Sequence, residues 1–315
     1  MGKKSVILYA PKFYGYGKFI AEEIGHQGNE VYYVEEVSRL LAFLLSFLPI
    51  SFSRYVRENK IYRQLRNFPI EDIDSFFIIK GEYLSQRHIS YLKERNPFIR
   101  IIMYQWDSLR NHDYKTFILQ CDKVFTFDFK DAKELNINYL PLFYLKDIKA
   151  EHNVNDIDLL FVTTNTPMRT AYLSRLKELS IKHHFKLYYY LVNPLSTYIT
   201  DMFNGNLYYK LSDIHFLPMK RERLIELYRR SKVFVDITSP LQTGLSMRII
   251  ECYGMNKKLI TSNTNVEKDE YVKEILLLSS EASDDEVLKF LSLPCTTYRD
   301  IDKLSIRNWV KIILS

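Results

Sequence analysis

The sequence predicts an α/β protein made of two Rossmann-like domains that face each other across a cleft. A length of 315 residues suits two domains of roughly 150 residues each. The chain opens with a strand, a helix and a second strand, and the same pattern begins again near its middle. A hydrophobic share of 47% is enough to bury a core in both halves.

The first domain is predicted to span residues 1–148. Ser5–Ala10 is a short apolar run ended by Pro11, which predicts a buried strand. Phe19–Ile24 predicts a helix and Val31–Val34 the next strand, and together they make the β-α-β opening of a doubly wound sheet. Further strands are predicted at Ser75–Ile79, Ile101–Tyr104, Val124–Phe127 and Tyr139–Tyr144.

The second domain is predicted to span residues 149–315, after the polar stretch Lys146–Asp156. Its pattern begins with a strand at Asp158–Val162, a loop at Thr163–Pro167 and a helix over about Met168–Leu179. We expect the last helix of the chain to pack back on the first domain. The remaining predicted elements are strands at Lys186–Leu191, Ile214–Leu217, Val233–Ile237 and Lys258–Thr261, and a helix at Arg221–Arg230.

The composition argues against several classes of protein. A net charge of +6 permits an anionic ligand, but the basic residues are not interleaved with aromatics in a stacking motif, so nucleic-acid binding is not predicted. Cys121, Cys252 and Cys295 lie far apart, which indicates neither a disulfide framework nor a zinc site. The apolar run at the N-terminus is too short for a secretory signal, so we expect a cytoplasmic protein.

Neither a metal nor a dinucleotide cofactor is predicted. Three Asp-x-Asp pairs occur, at Asp72–Asp74, Asp156–Asp158 and Asp300–Asp302, but they precede strands or a helix, where capping and turn roles explain them. His183–His184 offers no metal-ligand spacing. The Gly15–Gly17 pair lacks the third glycine of the dinucleotide-binding motif.

An uncharged apolar run at Leu40–Phe52 is too short to span a bilayer and is interrupted by Pro49. Such a run next to a basic segment can rest on an anionic membrane surface. The alternative is a buried core helix followed by a solvated one, and the sequence leaves both open. The basic segment places a cation at every third residue: Arg54, Arg57, Lys60, Arg63 and Arg66.

The most informative segment is Asp236–Asn263. A strand ends in Asp236–Ile237, a loop holds Gln242–Ser246, and a helix begins near Met247. Helix N-termini offer free N–H groups and a positive dipole end, which suit phosphate. Arg248 adds a guanidinium for diphosphate oxygens, and Glu251 can accept hydrogen bonds from sugar hydroxyls, although the two could also form a plain surface pair.

This segment resembles one found in the bacterial polysaccharide-biosynthesis glycosyltransferases, the capsule, lipopolysaccharide and exopolysaccharide enzymes of GT-B fold. Weaker similarity runs through Ile78–Glu82, Tyr104–Ser108, Tyr139–Leu142 and Ile306–Trp309. The positions that match the family pattern are Asp236, Ile237, Pro240, Gln242, Gly244, Leu245, Arg248, Glu251, Lys257, Lys258, Leu259, Ile260, Thr261 and Asn263.

The resemblance implies a nucleotide-sugar donor held by the second domain, a glycan or lipid-linked glycan acceptor held by the first, and no metal. Uridine diphosphate is favoured because it is the commonest carrier in such pathways. The expected location is the cytoplasm, either in solution or peripherally on the inner face of the cell membrane. The residues predicted to bind the donor are Thr163, Thr164, Asn165, Arg169, Leu217, Pro218, Lys220, Gln242, Thr243, Gly244, Leu245, Ser246, Arg248 and Glu251.

Inversion of the sugar's configuration is favoured over retention. Many retaining relatives carry two glutamates across this loop and helix, and here Thr243 occupies the first of those positions. Inverting transfer needs a general base, for which Asp107 is the first candidate and Glu82 the second, because each follows a predicted strand. The aromatic residues predicted to contact the acceptor are Tyr14, Tyr16 and Trp106. A catalytically inactive GT-B partner or a nucleotide-binding protein is the alternative.

Overall fold

The computed structural model describes residues 3–11, 15–148, 154–272, 275–294, 298 and 300–315, with the side chain of Arg39 left out. These residues form two compact units. The first unit comprises Met1–Pro141, Leu241–Gly244 and Ile306–Ser315, and the second comprises Leu142–Pro240 and Leu245–Ser305. The predicted boundary after residue 148 stays a prediction.

The described part of the first unit contains a sheet of six parallel strands in the order β2-β1-β3-β4-β5-β6. Strand β3 is buried along its whole length, as expected for a parallel sheet covered on both faces. The predicted strand Tyr139–Tyr144 is much shorter than expected, because Pro141 has no N–H group to continue the ladder. The strands are β1 (Ser5–Tyr9), β2 (Glu30–Val34), β3 (Ser75–Ile79), β4 (Arg100–Gln105), β5 (Lys123–Thr126) and β6 (Asn138–Tyr139).

Helices flank this sheet, and the C-terminal helix Ile306–Leu314 is one of them. Its Trp309 is buried, with ring centroids 4.7 Å from Tyr104 and 5.8 Å from Phe77. The other helices of this unit are α1 (Tyr16–His26), α2 (Arg39–Leu45), α3 (Ile50–Leu65), α4 (Gln86–Arg95), α5 (Lys115–Ile118) and α6 (Phe129–Leu135).

The described part of the second unit also contains six parallel strands, in the order β12-β11-β10-β7-β8-β9. Its strands are β7 (Ile157–Thr164), β8 (Leu187–Val192), β9 (Ile214–His215), β10 (Ser231–Asp236), β11 (Lys258–Thr261) and β12 (Leu277–Ser279). Its helices are α7 (Pro167–His183), α8 (Leu195–Phe203), α9 (Arg221–Arg230), α10 (Met247–Gly254) and α11 (Asp284–Ser292).

The α/β class with two doubly wound parallel sheets is therefore confirmed. Several details differ from expectation in the second unit. Strand β7 runs into the predicted loop as far as Thr164, and α7 begins at Pro167 because Thr166 caps it and proline suits the first helical turn. Helices α8 and α11 and strand β12 were not predicted.

Each sheet has a point at which the strand order reverses. In the first unit it lies between β1 and β3, and in the second between β7 and β10. In open parallel sheets, ligands bind beyond the carboxyl ends of the strands at this point. The residues that follow these four strands are therefore the first place to look for a site.

The apolar run Leu40–Phe52 is not a buried core helix. It forms α2, a turn and the start of α3, and most of its large side chains are exposed. The basic residues after it do not share one face either, because each step of three residues turns an α-helix by about 60° short of a full revolution. Of the described helices, none is long and apolar enough to cross a membrane.

Candidate functional site

Asp236 lies at the centre of a charged cluster in the second unit, at the end of β10. Its carboxylate is 1% exposed. Oδ1 accepts hydrogen bonds from the Ser246 hydroxyl and from Arg248 Nη1, both at 2.8 Å, and Oδ2 accepts from the Thr238 hydroxyl. These hydrogen bonds fix the position of the carboxylate at the reversal point of the sheet.

Arg169 brings a second guanidinium to the same point. It lies in the first turn of α7, and its Nε donates to the Ile237 carbonyl oxygen at 2.8 Å. Its Nη1 donates to the carbonyl oxygen and the hydroxyl of Thr164. Arg169 thus ties the end of β7 to the end of β10.

Arg169 lies close enough to Arg248 for its pKa to be affected. Burial lowers the pKa of Arg169, the positive charge of Arg248 lowers it further, and Asp236 opposes both effects. Within the described residues, the buried Nε of Arg248 has no hydrogen-bond partner. Two guanidiniums therefore lie near one carboxylate, and only Arg248 pairs with it.

Two helices begin beside this cluster. Helix α10 starts after Ser246, whose hydroxyl accepts from Ile249 N at 3.4 Å, and α7 starts after Thr166. Helix N-termini carry a partial positive charge and unpaired N–H groups. Together with the arginine excess, they make this edge suited to an anion with several oxygens, such as a diphosphate.

The structure places the other predicted donor residues in different surroundings. Thr163 is buried inside β7, whereas Asn165 follows it and accepts from the Thr170 hydroxyl at 2.6 Å. Leu217, Pro218 and Lys220 are exposed between β9 and α9, where the Leu217 carbonyl oxygen accepts from the Tyr190 hydroxyl. Leu245 is fully buried.

Glu251 does not present its carboxylate to a ligand in this structure. It is buried, with Oε1 accepting from Arg221 Nη1 at 3.2 Å and Oε2 accepting from the Tyr228 hydroxyl at 2.9 Å. Arg221 also pairs with Asp147. Glu251 therefore joins α10 to α9 rather than lying at the open edge of the sheet.

Part of the predicted donor loop belongs to the first unit. Leu241–Gly244 groups with that unit, where the buried Asp128 carboxylate accepts from Thr243 N, Gly244 N and the Thr243 hydroxyl. A Cβ at Gly244 would lie 2.4 Å from the Phe127 carbonyl oxygen, so only glycine fits. Gln242 is half-buried and donates weakly to the Gly244 carbonyl oxygen.

A second charged cluster lies at the reversal point of the first unit. Lys80 follows β3 and forms ion pairs with both predicted base candidates, Asp107 at 2.8 Å and Glu82 at 3.0 Å. Its backbone has a φ of 64°, which is uncommon for a residue other than glycine. The Gln105 side chain holds that backbone by donating to the Lys80 carbonyl oxygen at 2.8 Å.

The pKa values of Lys80, Glu82 and His112 reflect their closeness. Burial alone raises the pKa of Glu82, but the Lys80 ammonium outweighs it, and the pKa is below its ordinary value. Burial lowers the pKa of Lys80, but Asp107 and Glu82 together raise it above its usual value. Burial and the charge of Lys80 lower the pKa of the nearby His112, which keeps this imidazole neutral.

Two of the three predicted acceptor contacts meet in the first unit. The rings of Tyr16 and Trp106 pack edge to face, with centroids 6.3 Å apart. Tyr16 is buried and Trp106 half-buried, so Trp106 offers more surface to a sugar ring. Tyr14 lies outside the described residues.

Three charged residues that organise the ends of the strands were not predicted: Lys80, Asp128 and Asp236. Lys80 and Asp236 lie in segments that resemble the family, but no role was predicted for either. All three share one signal, a charged residue at the carboxyl end of a strand or within two residues of it. Asp128 also caps α6 by accepting from Lys130 N and Asp131 N, which is the usual role of aspartate at that position.

The Asp-x-Asp pairs lie away from both clusters. Asp74, Asp156 and Asp158 stand at the amino ends of strands, and Asp302 accepts from the Tyr144 hydroxyl. Asp156 pairs with Arg230 at 2.7 Å. Among the residues that the structure describes, no group of three His, Cys, Asp or Glu side chains is placed to hold a metal ion.

No protein-family model and no curated protein matches this chain. Solved structures do match it. They include the UDP-GlcNAc 2-epimerase from Methanocaldococcus jannaschii, with 11% identity, a TM-score of 0.57 and coverage of 99% of both chains. The sucrose-phosphate synthase from Thermosynechococcus elongatus has 12% identity and a TM-score of 0.56, over 99% of this chain and 95% of that one.

A glycosyltransferase from Rickettsia africae is also similar, with 12% identity and a TM-score of 0.50 over 100% of this chain and 95% of that one. At such identities the likeness shows the fold alone. That fold is the GT-B arrangement of two Rossmann-like domains.

Proposed function

We propose that this protein is a glycosyltransferase that moves a sugar from a nucleotide-diphosphate donor, UDP-linked, onto a glycan or lipid-linked glycan acceptor. The observation that carries the proposal is the pair Arg169 and Arg248 around the single carboxylate of Asp236. This arrangement lies at the reversal point of one sheet of a GT-B fold, where an anionic ligand is expected. The family resemblance of the Asp236–Asn263 segment supports a role in bacterial surface polysaccharide synthesis at the cytoplasmic face of the membrane.

The second unit would bind the donor through its diphosphate. In the transfer, the bond between the anomeric carbon and the diphosphate oxygen breaks, and the leaving diphosphate gains negative charge. Fixed cations stabilise charge that develops in a transition state, and the two guanidiniums with the α10 N-terminus would supply this stabilisation. We propose that they do so without a metal ion.

The first unit would hold the acceptor and remove its proton. A bond forms between the acceptor oxygen and the anomeric carbon, and the hydroxyl proton passes to a carboxylate. We propose Asp107 as this base, because its side chain is 33% exposed and its Oδ2 is held by Lys80. Attack from the face opposite the leaving diphosphate would invert the configuration of the sugar.

Turnover of a panel of nucleotide sugars tests the proposal. Thermal-shift screening comes first, since a ligand at about 100 times its Kd raises the unfolding free energy by about 2.7 kcal/mol. We expect a nucleoside diphosphate and the corresponding nucleotide sugar to stabilise the chain. The nucleotide sugar should be consumed faster when an acceptor glycan is added. Stabilisation without turnover would support a nucleotide-binding protein instead. Isomerisation of the donor without an acceptor would indicate an epimerase.

A further inference from the structure

The first unit carries a large apolar surface on helices α2 and α3. We call this surface the α2–α3 patch. Its members are side chains that are half exposed or more: Leu40, Phe43, Leu44, Phe47, Ile50, Phe52 and Tyr55. Soluble monomers rarely leave so many large apolar side chains together in water, and such patches mark protein or membrane contacts.

The patch is held firmly by the core beneath it. Leu45 of α2 is buried, and so are Ile61 and Leu65 in the second half of α3. The first half of α3 projects Ile50 and Phe52 outward. Helix α3 is therefore anchored in the core at its C-terminal end and presents apolar side chains at its N-terminal end. The patch thus lies on ordered helices rather than on a loop.

Charge identifies the partner. From Val37 to Arg57 the sequence has no acidic residue, and its only charges are those of Arg39, Arg54 and Arg57. In a symmetric dimer the same patch would face itself, which would bring these positive charges together. An anionic lipid surface instead accepts the apolar side chains in its acyl region and attracts the net positive charge of this segment, which remains after Arg54 pairs with Glu58.

We propose that the α2–α3 patch inserts into the surface of an anionic lipid bilayer. The insertion is mainly apolar, because the basic residues of α3 are partly occupied within the protein. Arg54 pairs with Glu58 at 2.8 Å, and Lys60 donates to the Glu36 carbonyl oxygen at 2.7 Å. This replaces the expectation that a stripe of exposed basic residues makes the contact.

The same helix connects the patch to the charged cluster of Lys80. The Arg57 guanidinium lies 4.6 Å from the centre of the Tyr83 ring, and Tyr83 is next to Glu82 in the chain. Helix α3, which carries part of the patch, thus contacts the segment that holds Glu82. A role of this contact with a lipid-linked acceptor rests on the proposed function, whereas bilayer insertion does not.

The test compares two double variants of the full chain in flotation with vesicles of equimolar phosphatidylglycerol and phosphatidylethanolamine, without donor or acceptor. Phe47→Glu with Ile50→Glu removes two patch residues that are 71% and 86% exposed. Phe98→Glu with Ile181→Glu is the control, since these residues are 92% and 74% exposed elsewhere. Both variants lose one Phe and one Ile and gain the same charge, so they differ only in location.

We expect the wild-type chain and the control to float with the vesicles, and the patch variant to bind at least about tenfold more weakly, since each buried apolar side chain contributes strongly to partitioning. Wild-type binding should largely persist from about 0.1 M to about 1 M salt, although screening shortens from about 10 Å to about 3 Å. Circular dichroism should show both variants folded, because the changed side chains are exposed.

Three results would overturn the inference: no flotation of the wild-type chain, equal loss in both variants, or full binding by the patch variant. A wild-type dimer that the patch variant converts to a monomer would assign the patch to a second copy. The vesicle assay contains no nucleotide sugar, so its failure leaves the proposed glycosyl transfer standing, and failure of transfer leaves the vesicle result standing.

Discussion

The two sheets have the same parallel architecture but opposite charge at their reversal points. In the first unit, the ammonium of Lys80 lies between the carboxylates of Glu82 and Asp107. In the second, the carboxylate of Asp236 accepts from Arg248, and Arg169 lies close by. The first cluster has an excess of negative charge and the second an excess of positive charge.

This inversion shows how one fold can serve two chemical tasks. Both units have the same backbone architecture, and the few residues at the end of each strand decide which ligand the unit binds. A carboxylate excess suits a group that must lose a proton, and a guanidinium excess suits a group that carries phosphate. Each prediction below changes one side of this comparison.

The largest effect is expected from Asp107→Asn in the first unit. A general base contributes about 10²–10⁴-fold to the rate, so kcat should fall by that factor, while donor affinity stays unchanged. Steady-state kinetics and calorimetry with the donor measure the two quantities. Glu94→Gln, at an exposed site on α4, is the control and should be neutral. A larger loss in Glu82→Gln than in Asp107→Asn would transfer the role of base to Glu82.

The second effect concerns the guanidinium excess of the second unit. Arg248→Ala should weaken nucleotide-sugar binding by about 1.5–3 kcal/mol, the usual contribution of a hydrogen bond to a charged group. Calorimetry measures this against Arg223→Ala, whose guanidinium is exposed on α9 and paired with Glu226 at 2.6 Å. Unchanged affinity in a folded Arg248 variant would show that the diphosphate does not bind at this site.

A smaller effect is expected from Lys80→Gln, which removes the cation that the two carboxylates share. The pKa of Glu82 should then rise, because in the wild-type chain Lys80 lowers it against the effect of burial. A carboxyl with a lowered pKa stabilises the fold at neutral pH and loses that contribution as the pH falls through its folded pKa.

The variant should therefore be less stable by about 0.2–1 kcal/mol at neutral pH, the usual contribution of a partly exposed ion pair, and this difference should shrink in acid. Denaturant titrations over a pH series, with NMR titration of Glu82, provide the measurement. A stability difference that grows on acidification would contradict the proposed coupling.

The smallest expected effect is that of chelation. If the two guanidiniums take the place of a metal ion at the diphosphate, excess chelator should leave turnover unchanged. Rates measured before and after chelator treatment give the answer. A loss of turnover that magnesium or manganese restores would show that Arg169 and Arg248 do not suffice.

Most strands could be predicted because their signal is local. Ser75–Ile79 and Lys258–Thr261 are the strands β3 and β11 with the expected bounds, since a short apolar run bounded by polar residues is typical of a buried parallel strand. The helix Arg221–Arg230 also has its expected bounds. Strand β12 was missed because its three residues are too few to give a pattern.

The partners of the charged residues could not be predicted in this way. Glu251 had the position of a sugar ligand in the sequence, but Arg221 and Tyr228 of another helix enclose it. Five basic residues occur at every third position of the segment that forms α3, which in the sequence is a regular pattern. On a helix this spacing distributes the five side chains around the axis instead of placing them on one face. A pattern along the chain does not say which side chains meet across elements.

The sequence by itself determined the two α/β halves, the succession of strand and helix at the start of each half, and the segment from Asp236 onward as the main candidate for anion binding. Only the tertiary structure decided that Lys80 holds Glu82 and Asp107, that Arg169 and Arg248 meet at Asp236, and that the α2–α3 patch is exposed. The reason is physical. Apolar runs act through neighbours in the chain, whereas these charges come from separate strands and helices whose ends meet only when the parallel sheets have formed.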